Sequence, residues 1–216
     1  MIIYNFIFMK IIYSYNKNLK FKMKYLRLFE RLVKEPPFIS SARKGSTNAV
    51  KQALKDGEDV NMKDSDEKTA LMHAVKFPFV VDALIEGKAD VNEKDRNGIT
   101  ALMMASTPTV INKLLNAKAD VNMQDINGET AIMRYLSCFY DSGTFISILE
   151  KFLKSGLNLD IKNNEGENFY DLMMGFKEYN SHKQDYINDI EIYINNKFPK
   201  YKKDFDLKTD INKFNV

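Results

Sequence analysis

The feature that most constrains this chain is an internal repeat. Asp59-Val60-Asn61 recurs as Asp90-Val91-Asn92 and as Asp120-Val121-Asn122. Thr69-Ala70-Leu71-Met72 recurs as Thr100-Ala101-Leu102-Met103 and as Thr130-Ala131-Ile132-Met133. The step is 31 residues, then 30. A looser fourth copy, Asn158-Leu159-Asp160, follows 38 residues after the third. A fixed period near 30 means supersecondary units stacked in a row, each completing its core with its neighbours.

The residues within a unit give its shape. Asn97-Gly98 and Asn127-Gly128 are turn dipeptides, because both residue types tolerate positive φ. Thr69, Thr100 and Thr130 follow the turn, where a hydroxyl caps a helix start. A short helix comes next, with Leu71, Ala74 and Val75 at core spacing. Pro78 and Pro108 suit the first turn of a second helix, where no backbone donor is needed. That helix is expected to bury Val80, Val81, Leu84 and Ile85 in one copy and Val110, Ile111, Leu114 and Leu115 in the next. The expected fold class is all-α, a solenoid of helix-turn-helix units joined by short hairpin-like turns.

These units resemble the ankyrin-repeat family, whose core reads Thr-Pro-Leu-His-x-Ala. The segments 97–105 and 114–122 carry the likeness most closely. Five units are expected, at about 38–64, 65–95, 96–125, 126–163 and 164–198, making a repeat domain of 38–198. A leader (1–37) precedes it and a polar tail (199–216), expected to be frayed, follows it. The departures from the family pattern carry expectations of their own. Ala70, Ala101 and Ala131 stand for Pro, and Met72, Met103 and Met133 stand for His, so apolar packing replaces the family's bridging hydrogen bonds. Lys88 and Lys118 stand where Gly is usual; a left-handed conformation there costs about 1–2 kcal/mol each. An insertion around Phe139–Gly143 is expected to protrude as a longer loop. In the last unit, Tyr186, Ile187, Ile190, Tyr193 and Ile194 mark an inner helix face, with Glu191 and Asn195 outside.

The resemblance implies a module that binds a protein partner through its turn tips and the faces of its first helices. Carried over by position, the tip residues are Lys63, Ser65, Asp66 and Lys68; Lys94, Arg96, Asn97 and Ile99; and Gln124, Ile126, Asn127 and Glu129. The helix-end positions are Lys76, Phe77 and Thr107, then Ser137 and Cys138. Phe77, Ile99 and Ile126 are the expected exposed apolar anchors. Ordinary packing between adjacent tips is the competing reading for each.

Composition removes other classes. One Cys forms no internal disulfide, and one Cys with two His cannot complete the usual four-ligand zinc site. No run of eighteen apolar residues is present. No phosphate-binding glycine loop and no nucleophile–base pair at a recognisable spacing occurs, and the acidic stretch 64–67 lacks the calcium-loop ligand pattern. Cys138 reads as a small hydrophobe. No catalytic residue, metal or cofactor is therefore expected; an enzyme with an unrecognised site is the residual reading.

The net charge of +3 hides a split. Residues 1–44 hold ten bases against two acids, while 45–175 hold fourteen against twenty. The apolar stretch 1–15 and the basic segment 17–34 have three readings: a membrane anchor, a loosely docked leader, or a translation start assigned upstream of Met23. A basic lead also attracts nucleic acid or lipid headgroups. Leu26, Leu28, Phe29, Leu32 and Val33 instead mark an amphipathic helix able to pack on the first unit, and nucleic-acid binding is not expected. The overall expectation is a cytoplasmic, monomeric adaptor, with a membrane-associated form using 1–34 as the alternative.

Overall fold

The computed structural model describes residues 36–136, 141–179 and 184–199. The readings of the leader, of Ser137 and Cys138, of Phe139 and Tyr140 in the insertion, and of the tail beyond Pro199 lie outside the described residues. Ten helices are present among the described residues: α1 (Pro37–Arg43), α2 (Thr47–Lys55), α3 (Ala70–His73), α4 (Pro78–Glu86), α5 (Ala101–Met104), α6 (Pro108–Asn116), α7 (Ala131–Tyr135), α8 (Ser142–Lys154), α9 (Phe169–Tyr179) and α10 (Gln184–Lys197).

They stack in two layers. The odd-numbered helices form an inner layer in which each packs on the next, and the even-numbered helices form an outer layer in the same way. Each inner helix also packs on the outer helix that follows it. The result is an all-α solenoid, as the period demands. Helices of four and five residues such as α3, α5 and α7 are too short to persist alone. Their survival rests on burial: Ala70, Leu71 and Met72, then Ala101, Leu102 and Met103, then Ala131, Ile132 and Met133 are all in the core. The three methionines standing for His thus pack apolarly, and Met133 Sδ also accepts the Thr130 N–H at 3.4 Å.

Local chemistry sets the helix starts. Thr69 and Thr100 hydroxyls accept from the N–H of Met72 and Met103 at 3.4 and 3.3 Å. Pro78 and Pro108 open α4 and α6, where a missing N–H costs nothing. Val80, Val81 and Leu84 are buried, whereas Ile85 is only half-buried.

Two expectations need correction, and one backbone feature was not anticipated. Asp141–Gly143 do not protrude as loop. Asp141 caps α8 by accepting from Gly143 and Thr144, so part of the inserted segment winds into a 13-residue helix, against nine residues in α4 and α6. Glu191 does not face outward; it is buried, and Ile192 takes the exposed side of α10. Tyr186, Ile187, Ile190 and Ile194 are buried as expected, Tyr193 is half-buried, and Asn195, expected outside, is half-buried with its Oδ1 shielded from solvent. Glu67 is a third non-glycine residue at positive φ, alongside the foreseen Lys88 and Lys118.

Lys88 and Lys118 have φ of 68° and 67°, each just beyond an outer helix. Left-handed strain of about 1–2 kcal/mol outweighs the extra unfolded-state entropy of Gly, about 0.4–1 kcal/mol. Lys118→Gly is therefore expected to stabilise the protein by about 1 kcal/mol, read as a rise in urea midpoint at unchanged slope.

Candidate functional site

Between successive helix pairs the chain makes a hairpin turn, here called a finger: 63–69, 94–100, 124–130 and 162–168. One acceptor side chain frames each finger. Asp64 Oδ1 accepts from the N–H of Asp66 and Lys68, at 2.8 and 2.9 Å. Asp95 does the same for Asn97 and Ile99, and Asp125 for Asn127 and Glu129. Asn163 repeats it with Glu165 and Glu167. These are Asx turns built into a row.

The fingers are also joined to each other. Arg96 N–H donates to Asp66 O at 3.1 Å, Ile126 N–H to Asn97 O at 3.0 Å, and Asn164 N–H to Asn127 O at 2.9 Å. Beneath the fingers, the Asp-Val-Asn motif forms a second ladder. Asn61 Oδ1 accepts from Asp90 N–H, Asn92 from Asp120, and Asn122 from Asn158, each at 2.8 Å. A third ladder uses long side chains. Lys63 Nζ donates to Lys94 O, Lys94 Nζ to Gln124 O, and Gln124 Nε2 to Lys162 O, at 3.0, 2.7 and 2.9 Å. The backbone of the row is therefore fixed by polar bonds at every step, and side chains can vary on it without disturbing the core.

The structure sorts the residues expected at the surface. Lys63, Lys94 and Gln124 are occupied in the side-chain ladder, and Lys63 also pairs with Glu93 at 2.6 Å. Glu129 pairs with Arg134 at 3.5 Å. Arg96 is exposed but reaches back to Ser65 O and lies 3.7 Å from the Asp66 carboxylate. Lys68 is half-buried, with its carbonyl accepting from Asp64 N–H. Thr107 is exposed and caps α6 through Val110 N–H at 3.5 Å. Of the three expected apolar anchors, Ile126 alone stands out, 61% exposed. Phe77 and Ile99 are half-buried and pack against the core, because Phe77 lies over Gly45 and Ile99 sits at the base of its finger. Ser65, Asp66, Asn97, Asn127 and Lys76 are exposed.

Sequence reasoning missed the framing acids Asp64, Asp95 and Asp125. Each stands five residues before a capping Thr, a regularity present in the sequence. It also missed two braces from the inner helices. His73 Nε2 lies 2.7 Å from Asp64 Oδ2, and Arg134 Nη1 lies 2.8 Å from Asp125 Oδ2, both nine residues from the framing acid. Met104 occupies that position in the second finger. Exposed Phe79, at the start of α4, had no repeat pattern to announce it, since the next unit has Thr109 there.

Burial pushes the Asp64 carboxyl up, but the hydrogen bonds from His73, Lys68 N–H and Asp66 N–H together outweigh it and hold Asp64 below the usual aspartate range. A group whose pKa is lower folded than unfolded stabilises fully above its unfolded value, about 3.9, and loses that contribution as pH falls through the folded value. Urea midpoints are thus expected to drop between pH 5 and pH 3. The drop should be smaller in Asp64→Asn, which keeps the turn acceptor as Asn163 does. An equal drop in both proteins would exclude Asp64 as a contributor.

Among the described residues no cluster of three or more His, Cys, Asp or Glu side chains is placed to hold a metal ion, and no helix is long and apolar enough to cross a membrane.

Stacked helix pairs, framed fingers and a fixed row of exposed tips define a helical repeat scaffold. Residues 38–125 match the family model of ankyrin repeats in three copies, and this region belongs to that family. Ankyrin repeats are generally protein-interaction modules and typically not enzymes. No curated protein matches the chain.

Proposed function

We propose that this protein is a non-enzymatic adaptor that docks a protein partner on its finger row, centred on the second and third fingers. The observation that carries the reading is Ile126. It is a large apolar side chain, 61% exposed at a finger tip, on a backbone whose N–H donates to Asn97 O on one side and whose carbonyl accepts from Asn164 Nδ2 on the other. An exposed apolar group on a rigid support suits an interface anchor, because little conformational freedom is lost on binding. Asn97 and Asn127 supply exposed amides beside it, and Asp66 and Lys76 charged groups at the margin. The partner is a protein, and neither a cofactor nor nucleic acid is part of the proposal. We further propose that the repeat domain extends past residue 125 to about 198, a reading supported by the continued stacking of α7–α10 on α5 and α6.

The test pairs capture with affinity. The full chain and its Ile126→Ser variant are used as bait in lysate of the source cells. Any protein held by the first is then purified and titrated against both by calorimetry. A loss of tenfold or more in affinity, about 1.4 kcal/mol, is expected for Ile126→Ser with the melting temperature unchanged. Equal affinity for both proteins would remove the finger row from the interface.

A further inference from the structure

Phe79 is the most exposed large apolar side chain among the described residues, at 78%. The repeat does not ask for it: the matching position holds Asn48 in α2 and Thr109 in α6, both polar and exposed. The core does not use it either, since Val80, Val81, Ala83 and Leu84 already supply the buried face of α4. Its surroundings are basic. Residues 36–55 hold Arg43, Lys44, Lys51 and Lys55 and no acid. The turn after α1 meets the turn after α3, because a methyl group on Gly45 would fall 2.6 Å from the Phe77 ring. Lys44 and Lys76, the neighbours of these two residues, are exposed. So is Lys51, on the helix packed beside α4. The 31-residue step sets Lys51 against Asp82, one helical turn along from Phe79. None of these three lysines is held in an ion pair among the described residues. The acids of the two outer helices do not offset them. Asp82 is occupied by Lys113 at 2.7 Å, and Asp56 and Glu86 lie at the far ends of α2 and α4.

We infer that this corner, formed by Lys44, Lys51, Lys76 and Phe79, docks on an anionic lipid surface. The lysines meet headgroup charge, each strengthening partitioning about fivefold, and the ring enters the interface. A protruding ring suits a fluid interface, which needs no matching pocket. The chain also carries seven Lys or Arg in 17–34, shortly before α1. Attachment to a membrane is stable when two weak signals act together. The placement of the corner fits this role. The chain runs from each finger along an inner helix, turns, and returns along an outer helix to the next finger. Lys44, Lys76 and Phe79 therefore lie at the edge opposite the fingers. A protein docked by that edge directs its fingers away from the bilayer and leaves Ile126 open. The inference is independent of the partner-binding reading of the tips.

The chain contains no tryptophan, so Phe79→Trp places a single fluorescent reporter at the corner. The full chain with this change is mixed with vesicles of equimolar phosphatidylcholine and phosphatidylserine. A blue shift of the emission is expected, with quenching by brominated acyl chains, and neither with phosphatidylcholine alone. Adding Lys44→Glu and Lys51→Glu should weaken partitioning at least about tenfold, with the circular dichroism spectrum unchanged. Lys76 is kept, because it also borders the proposed partner interface. In the otherwise unaltered chain, Phe79→Ser should lower vesicle sedimentation at least about fivefold. Vesicle binding without a blue shift at position 79 would mean that the leader alone holds the membrane, and would overturn the inference. Absence of binding, or partitioning that ignores the two lysine changes, would overturn it equally. So would an emission already blue-shifted in solution, which would place the ring under another part of the chain or a second copy. A shift produced by polyglutamate and not by vesicles would overturn it in favour of an acidic protein partner.

Discussion

Leu114→Ala is expected to lower the stability of the protein by about 2–5 kcal/mol, while Arg96→Glu changes it by less than about 1 kcal/mol. Leu114 is fully buried on α6, in the layer where α4 packs on one side and α8 on the other. Its neighbours cannot close the cavity independently. Asp82 on α4 is tied to Lys113 at 2.7 Å, and Asn112 on α6 is tied to Lys151 of α8 at 2.7 Å, so both flanking helices are held at their spacing. A cavity that cannot collapse carries the upper part of the usual penalty. Because each unit borrows its core from its neighbours, a central defect loosens both interfaces at once. Arg96, by contrast, is 62% exposed, and its contact with Asp66 is a solvent-screened surface pair. Urea denaturation followed by circular dichroism would rank the two variants. The reverse ranking would contradict the packing of α6 between α4 and α8.

The period was the legible part of this fold, because it is written in residues whose roles are local. A Thr that caps, a Pro that opens a helix and a positive-φ position after a helix each depend on a few neighbouring atoms, so Thr100, Pro108 and Lys118 stand as expected. The segment 141–143 of the insertion and the outer face of α10 were misread for the opposite reason. Asp141 both begins a loop and caps a helix, and only the packing of Phe145, Ile148 and Leu149 decides that a helix follows. Glu191 is a charged residue in the core, an arrangement no hydrophobic pattern announces. The finger row was legible as a location and not as an energy balance. Position alone put Lys63, Lys94 and Gln124 among the surface groups. Their engagement with carbonyls 30, 31 and 38 residues away is a property of the stack. Ile99 and Ile126 likewise occupy tip segments in sequence, yet one packs inward at the finger base and the other stands in solvent.

Gly128→Ala is expected to destabilise the protein by about 2–4 kcal/mol, well beyond the same change at Gly57. Both glycines lie at positive φ, 75° and 86°, so both substitutions incur left-handed strain of about 1–2 kcal/mol, partly offset by the lower unfolded-state entropy of Ala. They differ in what a methyl group meets. At Gly57 nothing lies within 4 Å. At Gly128 it would fall 2.9 Å from the Asn164 amide nitrogen and 3.0 Å from the Asn163 carbonyl carbon, both backbone atoms of the fourth finger. Backbone cannot rotate away as a side chain tip can, so the fourth finger must shift. That shift strains the 2.9 Å bond from Asn164 N–H to Asn127 O, the link holding the third and fourth fingers together. Overpacking of this kind costs about 1–3 kcal/mol in addition to the strain. The comparison of the two variants by urea midpoint isolates the finger–finger contact, since the conformational term is common to both. Equal losses at Gly57 and Gly128 would mean that the fingers are spaced by the helices beneath them and that contact between them adds nothing. A larger loss at Gly128 would make the row a mechanically continuous surface. A substitution at one tip would then alter the presentation of its neighbours, Ile126 included.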